Sequence, residues 1–224
     1  MSIQLAVFDL AGTTVVDENF VGKAFQKAFH DFDFEIETDD INPLMGYKKT
    51  YAIEMMLKKI GVEYDEEMIG DIHTAFTDEM IDFYEYDPQV KPLPAAEETI
   101  QLLKEKGIRI AFNTGFPRVI ADTIMKRFQW MERGLADDYI ASDEVVEGRP
   151  TPYMINQLML RAGIDNPLLV AKIGDTEVDI NEGKNAGCGL VVAVTTGAYK
   201  KQELEIYHPD FIIDSLSELP DLIN

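Results

Sequence analysis

The chain has 224 residues, 46% of them hydrophobic, with 20 lysines and arginines against 41 aspartates and glutamates, a formal charge of −21 at pH 7. That length holds one full domain and a smaller inserted one, and a field of that sign repels nucleic acid and anionic membrane, which argues against both as partners. No stretch of about 18 uninterrupted apolar residues occurs, and "MSIQLAVFDL" is too short an apolar run for a signal peptide, so a cytoplasmic protein is expected.

In chain order, "LAVFDL" (5–10) is the first short apolar run of the kind that fully buried parallel strands show, and it passes through Asp9 into the turn "AGTT". Residues 17–91 break the pattern. "NFVGKAFQKAFHDF", "KTYAIEMMLKKIG" and "EEMIGDIHTAFTDEMIDFYEY" have helical periodicity, and no good strand lies among them. "VVDE" and the proline-rich "DPQVKPLP" bracket this segment as hinges would. The expected organisation is a helical module at 17–91 inserted in an α/β core made of 1–16 and 92–224; a helical excursion extending a single core is the alternative. The helix "PAAEETIQLLKEKG" (94–107) follows, with Pro94 at its start and Gly107 at its stop. Further strands are expected at "IRIAFNT" (108–114), "DYIAS" (138–142), "LLVAKIGD" (168–175), "LVVAV" (190–194) and "DFIID" (210–214). Strands alternating with helices make a Rossmann-like, doubly wound parallel sheet.

Such sheets bind ligands beyond the carboxyl ends of their strands. Asp9, Thr114 and Asp175 fall there, with Asp179 four residues on in "GDTEVDI" and Arg149 after the "DYIAS" strand. Converging carboxylates repel one another, and a divalent cation removes that cost. Oxygen ligands without His or Cys favour Mg²⁺. Asp9 and Asp175 are the expected ligands, Ala11 could add its backbone carbonyl, and Asp179 orients the others. Thr114 and Arg149, with N–H groups from the turn at Ala11, Gly12 and Thr13, would neutralise the oxygens of a phosphoryl group while Asp9 attacks phosphorus.

These motifs carry a resemblance. "FDLAGTT", "FNTG" with Gly115, "EGRPTPYM" and "GDTEVDI" resemble the nucleophile, Thr/Ser, basic and acidic motifs of the haloacid dehalogenase superfamily of aspartate-nucleophile hydrolases, over nearly the whole chain. "DLAGTT" and "GRPTPYM" are closest to its phosphonatase-like (phosphonoacetaldehyde hydrolase) group. The resemblance implies a Rossmann-like core with a mobile helical cap, a small phosphorylated or phosphonate substrate, and a homodimer through the cap.

Ordinary phosphatases of the superfamily keep a second aspartate where this chain has Ala11, which can neither protonate a leaving alkoxide nor deprotonate water. A substrate that needs no such acid answers this: a lysine imine turns carbon into an acceptable leaving group. Phosphonatases place that lysine in an "MG..K" segment. Here "MGYKKTYAI" puts Met45 beside the substrate and Lys49 at the lysine position, inside a segment with 19 acidic and 7 basic side chains over 17–91. The family's histidine three residues later is Ala52 here. Two alternatives stand beside carbon–phosphorus cleavage: a phosphatase for anhydrides or acyl phosphates, and a receiver-like phosphoacceptor, against which the long insertion counts. Lys48, His30, His73 and His208 read as surface or packing residues, Cys188 as a small core residue, Trp130 and "DFYEY" as packing for the cap or a partner subunit, with a substrate pocket as the alternative, and Arg118 as a second phosphate contact or a turn cap.

Overall fold

The computed structural model describes residues 2–223. Its six strands are β1 (Leu5–Phe8), β2 (Arg109–Thr114), β3 (Asp138–Ala141), β4 (Val170–Gly174), β5 (Leu190–Val194) and β6 (Phe211–Ile213). They form one sheet, all parallel, in the order β3-β2-β1-β4-β5-β6. The order reverses on either side of β1, which is the switch point where open sheets leave a crevice. All six expected strands are present, five of them shorter than their apolar runs by one to three residues, and only β5 matching its run in full. β1 ends before Asp9, and residues 167–169 form a 3₁₀ turn opened by Pro167 and capped by the Asn166 side chain, so β4 starts at Val170.

The pleat splits the core. Ala6 and Phe8 of β1 join the larger apolar cluster on one face, while Leu5 and Val7 join the other with Met154, Ile155 and Leu158. The second face is covered by α7 (Tyr153–Ala162) and α8 (Glu177–Ala186). The first carries α5 (Ala96–Glu105) and α6 (Arg118–Phe128).

Between β1 and α5 the described residues hold no strand beyond isolated bridges at Ala11–Val15 and Val15–Pro92, and their helices are α1 (Phe20–His30), the short α2 (Thr38–Ile41) running into a 3₁₀ turn at Asn42–Leu44, α3 (Lys49–Ile60) and α4 (Glu66–Tyr86). α4 starts where Asp65 accepts the Met68 N–H at 2.9 Å, with Glu66 and Glu67 in its first turn. α3 stops at Gly61, whose φ of 71° suits the left-handed end of a helix. Chain entry and exit run side by side: the Val16 N–H donates to Lys91 O (3.1 Å) and the Leu93 N–H to Thr14 O (2.8 Å). Apolar contact is continuous across this junction, since Phe76 of α4 stacks on Phe116 at 6.3 Å and Tyr84 meets the same ring edge-on at 5.9 Å.

Trp130 lies elsewhere than expected. It is fully buried in the α/β core, stacked on Phe112 at 5.0 Å and on Phe128 at 4.9 Å, with its indole N–H donating to Glu97 at 2.7 Å. Trp130→Ala is expected to cost about 3–5 kcal/mol. Urea unfolding followed by circular dichroism checks this; a loss below about 1 kcal/mol would mean the site collapses around the missing ring.

Candidate active site

Asp9 follows β1 directly, its N–H donating to Ile173 O (2.9 Å) and its carbonyl accepting from the Thr14 hydroxyl (2.9 Å). The backbone then turns through Gly12 at φ 82°, where an added Cβ would lie 2.7 Å from Asp175 Oδ2, so only glycine fits. The N–H groups of Gly12, Thr13, Thr14 and Val15 are all spent inside the turn, on Val15 O and Leu10 O. Gly12 and Thr13, expected to offer N–H groups to phosphate, therefore use them in the loop itself. The Thr13 hydroxyl donates to Asp175 Oδ1 at 2.9 Å, an orienting contact.

Asp175 follows β4. Its Oδ2 accepts the Ala198 N–H (2.9 Å), and a Cβ at Gly197 would sit 1.8 Å from that oxygen, so the 197–198 backbone closes directly over the carboxylate. Asp179, in the first turn of α8, is tied by Oδ2 to the Thr176 N–H and hydroxyl. Its Oδ1 faces two buried cations, hydrogen-bonded to Arg149 Nη1 and 2.9 Å from Lys172 Nζ. Arg149 Nη2 also lies 2.8 Å from Asp9 Oδ1, close enough for an ion pair, though that buried oxygen has no aligned hydrogen-bond donor.

Lys172, Asn113 and Glu182 complete a buried network that sequence reasoning missed. Lys172 donates to Asn113 Oδ1 at 2.5 Å and lies 3.4 Å from Glu182 Oε2, and the Asn113 amide donates to both Glu182 oxygens at 2.9 and 2.8 Å. A lysine inside the apolar run "LLVAKIGD" and an asparagine inside "IAFNT" were the available signals.

The electrostatics follow from burial and pairing. Burial pushes the Asp179 carboxyl up, but Arg149 and Lys172 outweigh it and bring it down to about 2. Burial raises Asp9, with Arg149 opposing. Asp175 is raised furthest of the three, by burial and then by the Asp9 and Asp179 charges, because it has no cation of its own. Arg149 is held protonated: burial opposes its charge, and Asp179 and Asp9 more than compensate.

Asp9, Asp175 and Asp179 present oxygens all within 4.8 Å of one another, in burial, with no His or Cys among them. This is a candidate Mg²⁺ site, and the residues fit the ion: hard oxygen donors, an Asp9 oxygen without a donor, and an Asp175 without a cation. In the metal-free protein Asp175 keeps its proton to higher pH than it would unfolded. Stability should then fall as pH rises from the ordinary carboxylate range of about 4 through the raised native value. We expect Mg²⁺ to raise Tm more at about pH 8 than at about pH 5, and Asp175→Ala to abolish the shift; equal shifts at both pH values would contradict the linkage.

Lys49, at the start of α3, is buried with its ammonium over the Phe116 ring (5.4 Å) and the Phe76 ring (5.9 Å), donating to Tyr47 O at 3.3 Å. Burial, then the Arg149 charge, lowers it to about 8 against the opposing Asp9 and Asp17 carboxylates. Lys49 lines one cavity of about 30 Å³ with Asp9, Ala11, Asp175, Thr114, Gly115, Arg149 and Met45. The helical segment meets the sheet there backbone to backbone, since a Cβ at Gly115 would lie 2.4 Å from Gly46 O and 2.5 Å from Tyr47 O. Thr114, which ends β2, accepts the Phe116 N–H on its hydroxyl at 3.2 Å.

Other candidates lie apart. Arg118 does not line the cavity: it pairs with Asp122 (2.6 Å) and Glu144 (3.1 Å) and covers the Tyr139 ring. Lys48 is half-buried, its ammonium 3.4 Å from Val145 O. Cys188 packs between two small apolar clusters, and burial pushes its thiol up to about 12. His30 pairs with Glu35 on the surface, and no histidine lines the cavity. No helix among the described residues is long and apolar enough to cross a membrane.

Residues 6–193 match the haloacid dehalogenase-like hydrolase family. The phosphonoacetaldehyde hydrolase of Bacteroides fragilis is 29% identical, with 99% of this chain and 95% of the relative covered. That of Pseudomonas putida is 26% identical, with 99% and 91% covered. Among solved structures, a phosphonoacetaldehyde hydrolase-like protein from Oleispira antarctica superimposes with a TM-score of 0.88 over 99% of this chain and 91% of that one; at 21% identity the likeness is one of fold.

Proposed function

The chain belongs to the haloacid dehalogenase-like hydrolases, and from that membership we propose a cytoplasmic, phosphonatase-like enzyme that transfers phosphorus from a small phosphonate such as phosphonoacetaldehyde to Asp9 and then to water. In this reading residues 17–91 are the cap. Asp9 and Asp175 would hold Mg²⁺ with the Ala11 carbonyl, since both oxygens of Asp179 already have partners. When bound, the ion offsets the negative charge of the phosphoryl oxygens and of the carboxylates around them.

The observation that carries the proposal is Lys49: a buried amine at about 8, without a carboxylate hydrogen bond, in the same small cavity as Asp9. The neutral amine adds to the aldehyde carbon and water leaves, giving a protonated imine. An Asp9 oxygen then bonds to phosphorus as the carbon–phosphorus bond breaks, and the electron pair moves into the imine to give an enamine. Protonation at carbon and hydrolysis release the aldehyde, and water cleaves the aspartyl-phosphate. Thr114 and Arg149 steady the phosphoryl oxygens and the nucleophile. Ala11 costs nothing here, because no alkoxide departs. Borohydride added with phosphonoacetaldehyde should leave a mass adduct on Lys49, together with phosphate release in its absence; neither adduct nor phosphate would eliminate carbon–phosphorus cleavage.

One observation favours a phosphatase for anhydrides or acyl phosphates instead. Ala52 is fully buried where the phosphonatases carry histidine, so that position of α3 offers no imidazole to Lys49. Acetyl phosphate, whose leaving group needs no proton, discriminates: on this reading Lys49→Arg keeps most of its activity toward it.

A further inference from the structure

We infer that Asp17 is the proton-transfer residue of this cavity, standing between the Lys49 amine and a second, polar pocket; the inference rests on the imine reading above. Asp17 lines the reaction cavity with Asp9 and Lys49. It also lines an adjoining pocket of about 270 Å³ whose walls include Asn19, Thr38 and Asn42, with room and polar groups for several waters. Asp17 is the one lining carboxylate left over: Asp9 is the nucleophile, and Asp175 belongs to the cation cluster. The fold holds it in place, since its Oδ1 accepts the Val21 N–H at 3.1 Å across the start of α1. Burial raises its carboxyl, so it binds a proton more readily than a free aspartate does. Ala11 and Ala52 leave that task without an owner among the family's usual positions.

The step balances. The neutral Lys49 amine forms a carbon–nitrogen bond with the aldehyde carbon as the carbonyl π bond opens onto oxygen, and the Asp17 carboxylate takes a proton from that nitrogen and passes it to the oxygen. Asp17 then picks up a proton from the solvent of the polar pocket and gives it to the resulting hydroxyl, the carbon–oxygen bond breaks, water leaves toward the polar pocket, and the nitrogen carries the positive charge of the imine.

The test measures the rate of borohydride-trapped adduct on Lys49 in the full-length, Mg²⁺-supplied protein with phosphonoacetaldehyde. Asp17→Asn keeps an oxygen for the Val21 N–H and should slow trapping by about 10²-fold or more. Asp17→Ala should recover part of its rate when formate is added, a rescue that a merely structural aspartate would not show. Should the amide variant melt early, Asp17→Ser, whose hydroxyl can still accept the Val21 N–H, takes its place. Trapping in the variant at the parental rate overturns the inference alone. No adduct on the parent overturns it together with the imine reading.

Discussion

Asp9→Asn is expected to lower phosphate release by at least about 10⁴-fold, the scale on which enzymes lose a covalent nucleophile. The amide keeps the shape of the side chain and removes the attacking oxygen's charge. The fold should survive, because burial already disfavours the Asp9 carboxylate, and Arg149 keeps Asp179 as its partner. An acid quench of the parent during turnover should leave phosphate on the peptide that bears Asp9, and the variant should show none. Near-parental turnover in a correctly folded variant would remove Asp9 from the chemistry and leave the carboxylate cluster as a cation site only.

Lys49→Arg is expected to abolish phosphate release from phosphonoacetaldehyde, by about 10³-fold or more, while leaving a positive charge in the cavity. A guanidinium stays protonated and cannot form the imine. The parent's pH dependence carries the same signature. With Lys49 at about 8, each unit of pH below that value cuts the neutral amine about tenfold, so the rate should rise with pH and level off near 8. A flat profile from about pH 6 to 8, or a Lys49→Arg variant that still cleaves the phosphonate, would transfer the case to the acyl phosphate reading.

Much of this architecture is written locally. Parallel strands buried on both faces appear as plain apolar runs, which is why all six stand out, and the helices of 49–60 and 66–86 follow their periodicity almost to the residue. Asp9, Thr114 and Asp175 could be placed because each ends or follows a strand, and strand ends converge at a switch point. Lys49 stood out against an acidic background. The rest depends on partners remote in sequence. Lys172 meets Asn113 across 59 positions, and Asn113 meets Glu182 across 69, so no window of local sequence shows that these groups satisfy one another. Trp130 carries no address either: an aromatic residue at the end of a helix suits a cap, a partner or a core equally, and stacking on Phe112 decides it. Arg118 reads as a phosphate contact only until Asp122 and Glu144 claim it.

The central position of β1 has a consequence for synthesis. Leu5–Phe8 leaves the ribosome before every other strand of this sheet, yet the two it pairs with begin at Arg109 and Val170. At about 5–20 residues per second, this apolar segment waits roughly 5 to 20 s for its first neighbour and longer for the second, with both hydrogen-bonding edges bare. The stretch that ends at Asp9 therefore stays incompletely paired through most of synthesis, and a polypeptide halted before β4 emerges has Asp9 without the Ile173 carbonyl that takes its N–H or the Asp175 and Asp179 carboxylates beside it.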